Sequence, residues 1–353
     1  MIFDINQKNV KFIGRTYFYK EALWCGLSGS GISFTFKGTR ADITIAGDDT
    51  TQGVVTEGKA RLAIYVNHKR VIDTMVELPE ETFCVYENDV PQEVTVQIIK
   101  LSECPMSTFG IKMLDILAEN GIHPEADKPH KIEFIGDSIT CGYGVDLEIA
   151  DTVFSTTTED VTRAYAYKTA MGLNSDYSMV SFSGYGIISG YTDSDEKQVN
   201  QLVPDYYEKM GFSYAKPYGT LELQEVPWDF TSYVPDLIVM NLGTNDDSYC
   251  QDHKSRQEEF SQEYEKFLKQ LRQINPQATL LCTVGLMGER IYDAVEKAVL
   301  KYKENTGDHN IYAIKLKEQL PQDGLVTSGH PTEISHTKAA AVLVENIKKI
   351  MNW

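Results

Sequence analysis

Four short stretches of the chain hold residues whose types could do covalent chemistry together. Ser138 lies in "KIEFIGDSITCGYG", residues 131–144, where a strand-like apolar run turns abruptly through Gly136, Asp137 and Ser138. Gly184 lies in "FSGYG", Asn245 in "LGTND" and His330 in "TSGHPTEISH". A serine hydroxyl is a poor nucleophile until a base takes its proton, and histidine does so near neutral pH. The oxyanion formed when serine attacks an ester carbonyl needs fixed donors. The backbone N–H of Ser138, the backbone N–H of Gly184 and the side-chain amide of Asn245 would supply three. Each residue also has a plain structural alternative. Ser138 could cap a helix, Asn245 could hold a turn through its side chain, and Gly184 could be a packing glycine.

These stretches need a scaffold, and the sequence changes texture along its length. Residues 1–118 carry short runs rich in Val, Ile, Thr, Phe and Tyr: "GISFTFKG", "ADITIAG", "RLAIYVNHKRVID", "ETFCVYE" and "VTVQIIKL". Several alternate apolar and polar residues, as half-buried strands do. Many short strands without a convincing helix predict an all-β sandwich or jelly roll over residues 1–122. "ENGIHPEADKPHK", 119–131, is polar with two prolines and reads as a linker. From 128 to 353 the pattern is α/β. Strand-like runs at "KIEFIG", "YSMVSFSG", "DLIVMNLG" and "ATLLCTVG" alternate with helical patterns. In one helix Phe260, Tyr264, Phe267, Leu268 and Leu271 share a face, and in the last, over 332–351, so do Ala340, Leu343, Ile347 and Ile350. Strand–helix alternation predicts a parallel sheet covered on both sides, with ligands at the carboxyl ends of its strands. The four chemical stretches fall at strand ends or just before a helix.

Composition narrows the class of partner. The chain has 353 residues, enough for two domains, and is 42% hydrophobic and 24% charged, which is ordinary for a globular protein. A formal net charge of −18, with no dense Lys/Arg run, argues against nucleic acid as a partner. No apolar run approaches the roughly 20 residues of a membrane span, so no membrane partner is expected. The six cysteines, Cys25, Cys84, Cys104, Cys141, Cys250 and Cys282, form no CxxC pair. Neither a metal site nor a cofactor is therefore expected. Wide cysteine spacing suggests free thiols, and no secretory leader is visible, which points to a cytoplasmic setting, or to secretion if a leader has been trimmed away. The oligomeric state is open, with a homo-oligomer among the alternatives.

The four motifs, in this order and spacing, resemble those of the SGNH (GDSL) hydrolases. "FIGDSITCGYG" resembles the GDS(L) block, "FSGYG" the glycine block, "LGTND" the GxND block and "GHP" the histidine block. The longer phrases "GDSITCGYG", "TTEDVTRAYAYKTA" and "WDFTSYVPDLIVMNLGTND" are similar to carbohydrate esterase family 2. Members of that family join a jelly-roll β-sandwich to an SGNH domain, so the resemblance covers nearly the whole chain. It implies removal of O-acetyl groups from acetylated oligosaccharides or polysaccharides of plant cell walls, of the acetylxylan or acetylmannan type, with a tendency toward the 6-position. It also marks Ser138 as nucleophile and, among seven histidines, His330 as its base. Pro331 fits both the motif and a first helical position.

The chain departs from the SGNH pattern at one point. Most members carry an Asp two or three residues before the histidine, and here those positions are Ser328 and Thr327. Some family 2 esterases are thought to work with a serine–histidine dyad. The same reading here predicts a Ser138–His330 dyad with a backbone carbonyl near 327–328 orienting the imidazole. Asp323, seven residues upstream, is the alternative third member. Asp137, Tyr185, Trp228 and Tyr249 are the candidate substrate-binding residues, Tyr143 being a further aromatic in the motif loops. Two rival functions remain open. One is an SGNH lipase or thioesterase acting on other acyl esters, which a long apolar lid would favour. The other is a non-catalytic carbohydrate-binding protein, against which the intact Ser138, Gly184, Asn245 and His330 argue.

Overall fold

The computed structural model describes residues 1–53, 58–147 and 153–353, and these form two compact units. The first unit comprises Met1–Asp127, Ser155–Glu159 and Lys209–Trp228; the second comprises Lys128–Phe154, Asp160–Glu208 and Asp229–Trp353. This grouping breaks the main chain at 127/128, close to the expected division at residues 122 and 128, but it is not contiguous. Two short segments from the later part of the sequence, 155–159 and 209–228, group with the β-rich unit.

In the first unit the described strands are β1 (Ile2–Phe3), β2 (Lys11–Ile13), β3 (Thr16–Tyr19), β4 (Ala22–Cys25), β5 (Gly31–Gly47), β6 (Arg61–Val66), β7 (Lys69–Met75), β8 (Glu80–Lys100) and β9 (Phe109–Pro124). All pair antiparallel, in the order β3-β4-β9-β5-β8-β6-β7, with β1 on β9 and β2 on β5. Runs that read as separate strands prove to be halves of long ones. "GISFTFKG" and "ADITIAG" both belong to β5, and "ETFCVYE" and "VTVQIIKL" both belong to β8. The three long strands lose register at one level. β5 shifts between Gly38 and Arg40, where its partner on β8 jumps from Gln92 to Glu87, and between Phe36 and Gly38, where its partner on β9 jumps from Ile122 to Ala118. Such irregularities let one strand bend and serve both layers of a sandwich. Residues from both halves, among them Phe34, Phe36, Ile43, Ile45, Val94, Ile116 and Ile122, share one apolar core. The stretch 119–131 begins as the end of β9, and the boundary between the two units falls within its residues 125–129, which lie outside any strand. Ile122, His123 and Pro124 pair with Phe36, Thr35 and Phe34.

The second unit is a parallel sheet of β10 (His130–Gly136), β11 (Ser175–Ser181), β12 (Leu237–Asn241), β13 (Thr279–Leu286) and β14 (Ile311–Glu318), in the order β11-β10-β12-β13-β14. Its helices are α1 (Ser138–Cys141), α2 (Tyr165–Gly172), α3 (Val203–Tyr206), α4 (Thr244–Cys250), α5 (Lys254–Ile274), α6 (Tyr292–Thr306) and α7 (Glu333–Met351). β12 and β13 are buried at every position, which is why their sequences are continuous apolar runs rather than alternations. The predicted faces of the long helices are the buried ones: Phe260, Tyr264, Phe267, Leu268 and Leu271 on α5, and Ala340, Leu343 and Ile347 on α7. The strand order reverses direction at β10, between β11 and β12. That is a topological switch point, where an open parallel sheet leaves a crevice beyond its carboxyl edge.

Candidate active site

Three of the four chemical stretches follow adjacent strands at that point. Gly136, the last residue of β10, is in register with Ser181 of β11 and Asn241 of β12. Ser138, Gly184 and Asn245 therefore leave the sheet within two to four residues of one level. Ser138 opens α1, which is capped not by Ser138 but by Asp137, whose carboxylate accepts the Ile139 N–H at 3.0 Å. With Asp137 as the cap, the Ser138 hydroxyl is free for another partner. The partner is His330, whose Nε2 lies 2.7 Å from Ser138 Oγ.

His330 reaches Ser138 from the loop between β14 and α7. A tight turn shapes this loop, with Ser328 at φ 54° and Gly329 at φ 75°. It is tied by bonds from Gly329 N–H to the Val326 carbonyl, from His330 N–H to the Thr327 carbonyl, and from Val326 N–H to the His330 carbonyl. The turn brings the Thr327 carbonyl to 2.9 Å from His330 Nδ1. A carbonyl only accepts, so Nδ1 carries the proton and Nε2 is left as an acceptor for the serine hydroxyl. Burial pushes the His330 pKa down to about 4, although the Thr327 and Ser328 carbonyls oppose the shift. The imidazole is thus held neutral at pH 7.

Asp323 is not part of this arrangement. Its carboxylate oxygens lie 2.6 and 2.7 Å from Lys338 Nζ, and its carbonyl accepts the Thr332 hydroxyl. Glu333, in the first turn of α7, pairs with Lys168 at 2.7 Å.

The oxyanion candidates are held by side chains that sequence reasoning missed. Among the described residues, neither the Ser138 N–H nor the Gly184 N–H has a hydrogen-bond acceptor. A Cβ added at Gly184 would meet nothing within 4 Å, so the surface above this glycine is open. The Asn245 side-chain amide donates one hydrogen to the Tyr185 carbonyl at 2.8 Å and, among the described residues, makes one further and long contact, 3.4 Å, to Asp137 Oδ2, while its backbone carbonyl accepts the Ser248 hydroxyl. Its neighbour Asp246 is fully buried and accepts three consecutive backbone amides of the next turn. Oδ1 lies 2.9, 2.7 and 3.1 Å from the N–H groups of Ile187, Ile188 and Ser189. Gly186 permits this approach, because a Cβ there would stand 2.6 Å from Asp246 Oδ2 and 2.1 Å from the Ser189 carbonyl. The dipeptide Asn245-Asp246 thus grips the glycine turn by both its carbonyl and its amide side. Only the spacing of "LGTND" and "FSGYG" hinted at a link, since two loops distant in sequence show no shared pattern.

Both carboxyl groups behind the site are strained electrically. Burial, with Asp246 nearby, pushes the Asp137 pKa up to about 7, and burial pushes Asp246 up to about 6 against the pull of its amides.

The candidate substrate residues fare differently. Asp137 is a buried helix cap whose second oxygen contacts the Asn245 amide. Tyr185 is buried, with its ring against Phe182 and Tyr206, so it offers its carbonyl to Asn245 rather than a face to a sugar. Tyr249 is half-buried beneath the Arg256 guanidinium, 4.3 Å from the ring centre. Trp228 belongs to the first unit, where Arg15 lies over its ring. Tyr143 stacks on His330. Tyr191, which the sequence reading passed over, is 61% exposed while its N–H bonds the Gly184 carbonyl at 2.8 Å. It is a solvent-facing aromatic tied to the glycine turn.

A five-stranded parallel sheet with these strand-end residues is the fold of the SGNH hydrolases. The chain belongs to the GDSL-like lipase/acylhydrolase family, matched over residues 134–333, and residues 12–125 match the carbohydrate esterase 2 N-terminal domain. This pairing of domains is that of the family 2 carbohydrate esterases. A cellulase/esterase of Acetivibrio thermocellus is 29% identical over 337 residues, 93% of this chain but only 38% of that protein, so the chain spans well under half of this relative's length. An acetylxylan esterase/glucomannan deacetylase of Cellvibrio japonicus is 22% identical over 98% of this chain and 90% of its own. Among solved structures, an acetyl xylan esterase from the rumen bacterium Butyrivibrio proteoclasticus superposes with a TM-score of 0.86 at 24% identity, covering 99% of this chain and 97% of that one.

Proposed function

We propose that the protein is a serine esterase that removes O-acetyl groups from plant cell-wall oligosaccharides or polysaccharides of the acetylxylan or acetylmannan type. The observation that carries the reading is the 2.7 Å contact between Ser138 Oγ and His330 Nε2, with Nδ1 held by the Thr327 carbonyl. Domain pairing and the deacetylase relatives support the acetyl group and the carbohydrate.

In this reading His330 Nε2 takes the Ser138 proton as Oγ attacks the acetyl carbonyl carbon. The carbonyl π electrons move to oxygen, and the oxyanion is met by the N–H groups of Ser138 and Gly184 and by the second amide hydrogen of Asn245. The tetrahedral intermediate collapses, the C–O bond to the sugar breaks, and the imidazolium gives its proton to the departing sugar oxygen. Water, deprotonated by the same imidazole, then attacks the acetyl-serine, and acetate leaves as Ser138 regains its proton. In this reading the Thr327 carbonyl at Nδ1 fixes the tautomer of the base without a carboxylate. A preference for the 6-position is the finer part of the proposal, in which the exposed Tyr191, whose N–H bonds the Gly184 carbonyl, would meet the sugar ring.

The test is acetate release from acetylated xylan, acetylated glucomannan and monosaccharides acetylated at single positions, against aryl esters of lengthening acyl chain. Faster turnover of acetyl than of longer acyl groups, with the 6-O-acetyl sugar leading, is expected. Faster cleavage of long-chain acyl esters would overturn the acetyl-esterase reading in favour of a lipase or thioesterase.

A further inference from the structure

The catalytic proposal leaves one charge unanswered. When His330 takes the serine proton it becomes an imidazolium in a site that burial has already made hostile to that charge. In a full triad a carboxylate meets it. Among the described residues no carboxylate makes an ion pair with His330. What does lie against the imidazole is the ring of Tyr143, with centroids 4.3 Å apart and planes at 30°. Tyr143 is itself stacked on Phe154, at 3.9 Å and 9°.

The local sequence explains how the ring gets there. Gly142 at φ 81° ends α1, and Gly144 at φ 65° turns the chain again, so the residue between them is swung out of the helix. Gly144 also runs close to the histidine turn, since a Cβ there would stand 3.2 Å from Thr327 Cβ. Glycine at 144 thus lets the 142–144 turn approach the segment that carries both Thr327 and His330.

We propose that Tyr143 is a positioning residue for His330, and that its ring face stabilises the imidazolium formed at each proton transfer in the place of the missing carboxylate. The inference rests on the reading of Ser138 and His330 as the catalytic pair. A cation within about 6 Å of an aromatic face is attracted by the ring quadrupole, more strongly where water is excluded. The neutral imidazole gains less from the same ring, so the contact favours the charged state. Other titratable groups around the histidine are occupied or neutral. His336 on α7 is buried and pushed down to about 3, and its Nδ1 accepts the Tyr165 N–H. Glu333 on α7 pairs with Lys168, Asp323 with Lys338, and Asp146, beyond Gly144, with Arg163.

The experiment replaces Tyr143 by Phe, then by fluorinated phenylalanines of the same shape, and separately by Leu, and follows kcat, KM and the pH profile on an aryl acetate. Tyr143→Phe keeps the ring face and is expected to stay within about threefold of the parent. Successive fluorines weaken the quadrupole and should lower kcat stepwise at constant KM. Tyr143→Leu should lower kcat about tenfold, the scale of one cation–ring contact. It should also move the acid limb to lower pH, because an imidazolium with less support has a lower pKa. A flat fluorine series, or an acid limb that stays in place, would overturn the proposal. Ser138→Ala and His330→Ala are run beside them. Activity surviving in those two would overturn the catalytic pair instead, whereas loss there with a flat Tyr143 series would sink this inference alone.

Discussion

Around Ser138 the protein buries two carboxyl groups, Asp137 and Asp246, while around His330 it brings a carbonyl and an aromatic ring. Neither buried acid serves the imidazole. Asp137 caps α1, and Asp246 collects three backbone amides of the glycine turn. Both fix backbone geometry on the Ser138 and Gly184 side of the candidate site. The histidine side is fixed by a backbone turn, with two left-handed residues and three main-chain bonds. The difference separates two tasks that one aspartate performs in a triad. Orienting an imidazole needs only an acceptor at the right distance, and a peptide carbonyl suffices. Stabilising its charge needs an opposing charge or a ring face.

The largest test of this comparison removes its poles. Ser138→Ala should abolish turnover of a small aryl acetate with thermal unfolding unchanged. His330→Ala should be comparably damaging, because a nucleophile and its base act as a unit and their losses do not add. A double variant much slower than either single one would show that the two do not act together.

On the oxyanion side, Asn245→Ala should lower kcat by roughly 10²–10³, the scale of one oxyanion donor, with little change in KM. Asp246→Asn keeps the shape but loses the charge that gathers the Ile187–Ser189 amides. It should cost about tenfold in kcat, the smaller effect expected of a residue acting through a loop. A rise in KM at unchanged kcat in Asn245→Ala would make that amide a ground-state contact.

The histidine side makes a sharper prediction about pH. The base works when neutral, so activity falls as pH drops through its pKa. With an ordinary pKa of about 6.5, turnover at pH 5 would be about 30-fold below its plateau. With His330 held down at about 4, it should still be above roughly 80% there. Protonating Asp137 near 7 and Asp246 near 6 takes negative charge away from beside the developing oxyanion, which does not imitate loss of the base. A kcat/KM profile with its acid limb at 6 or above would show that burial does not govern this histidine.

Much of this site could be read before folding, and the reason is local. Strand-end chemistry is announced by glycine next to Ser, Asn and His, and buried parallel strands are announced by short apolar runs. The carbonyl that lies against His330 Nδ1 falls within the 327–328 stretch to which the family resemblance pointed, Thr327 and Ser328 standing where most SGNH members carry an Asp. The parts that stayed hidden depend on contacts between segments far apart in sequence. Nothing near Asp246 shows that its carboxylate will find amides at 187–189. Tyr143 read only as a further aromatic in the motif loops, because two flanking glycines do not say where a ring will land. The long strands of the first unit looked like pairs of short ones, since a register shift breaks the alternation that marks a strand. Trp228 read as a site residue by its nearness to "LGTND" in sequence, yet its segment groups with the β unit.

The smallest expected effect is also the most direct test of the comparison. Asp323 is the acid nearest upstream of His330, and its loss would be ruinous if it were a third catalytic member, costing about 10⁴ in turnover. The geometry gives it another task. Both its carboxylate oxygens face Lys338 on α7, its carbonyl holds the Thr332 hydroxyl, and His330 Nδ1 is already occupied by Thr327. The Lys338 side chain is more than half exposed, so solvent screens the pair, and its removal should trim stability only slightly. Asp323→Ala should therefore cost less than about tenfold in kcat, or roughly 1.4 kcal/mol of barrier. Glu333→Ala, which releases Lys168 but touches neither Ser138 nor the ring, should behave alike. A fall of three or more orders of magnitude in Asp323→Ala, with circular dichroism unchanged, would mean that the 324–329 loop refolds in the working enzyme to bring that carboxylate onto Nδ1. The carbonyl would then be only a resting partner, and the two sides of the site would be more alike than their geometry suggests.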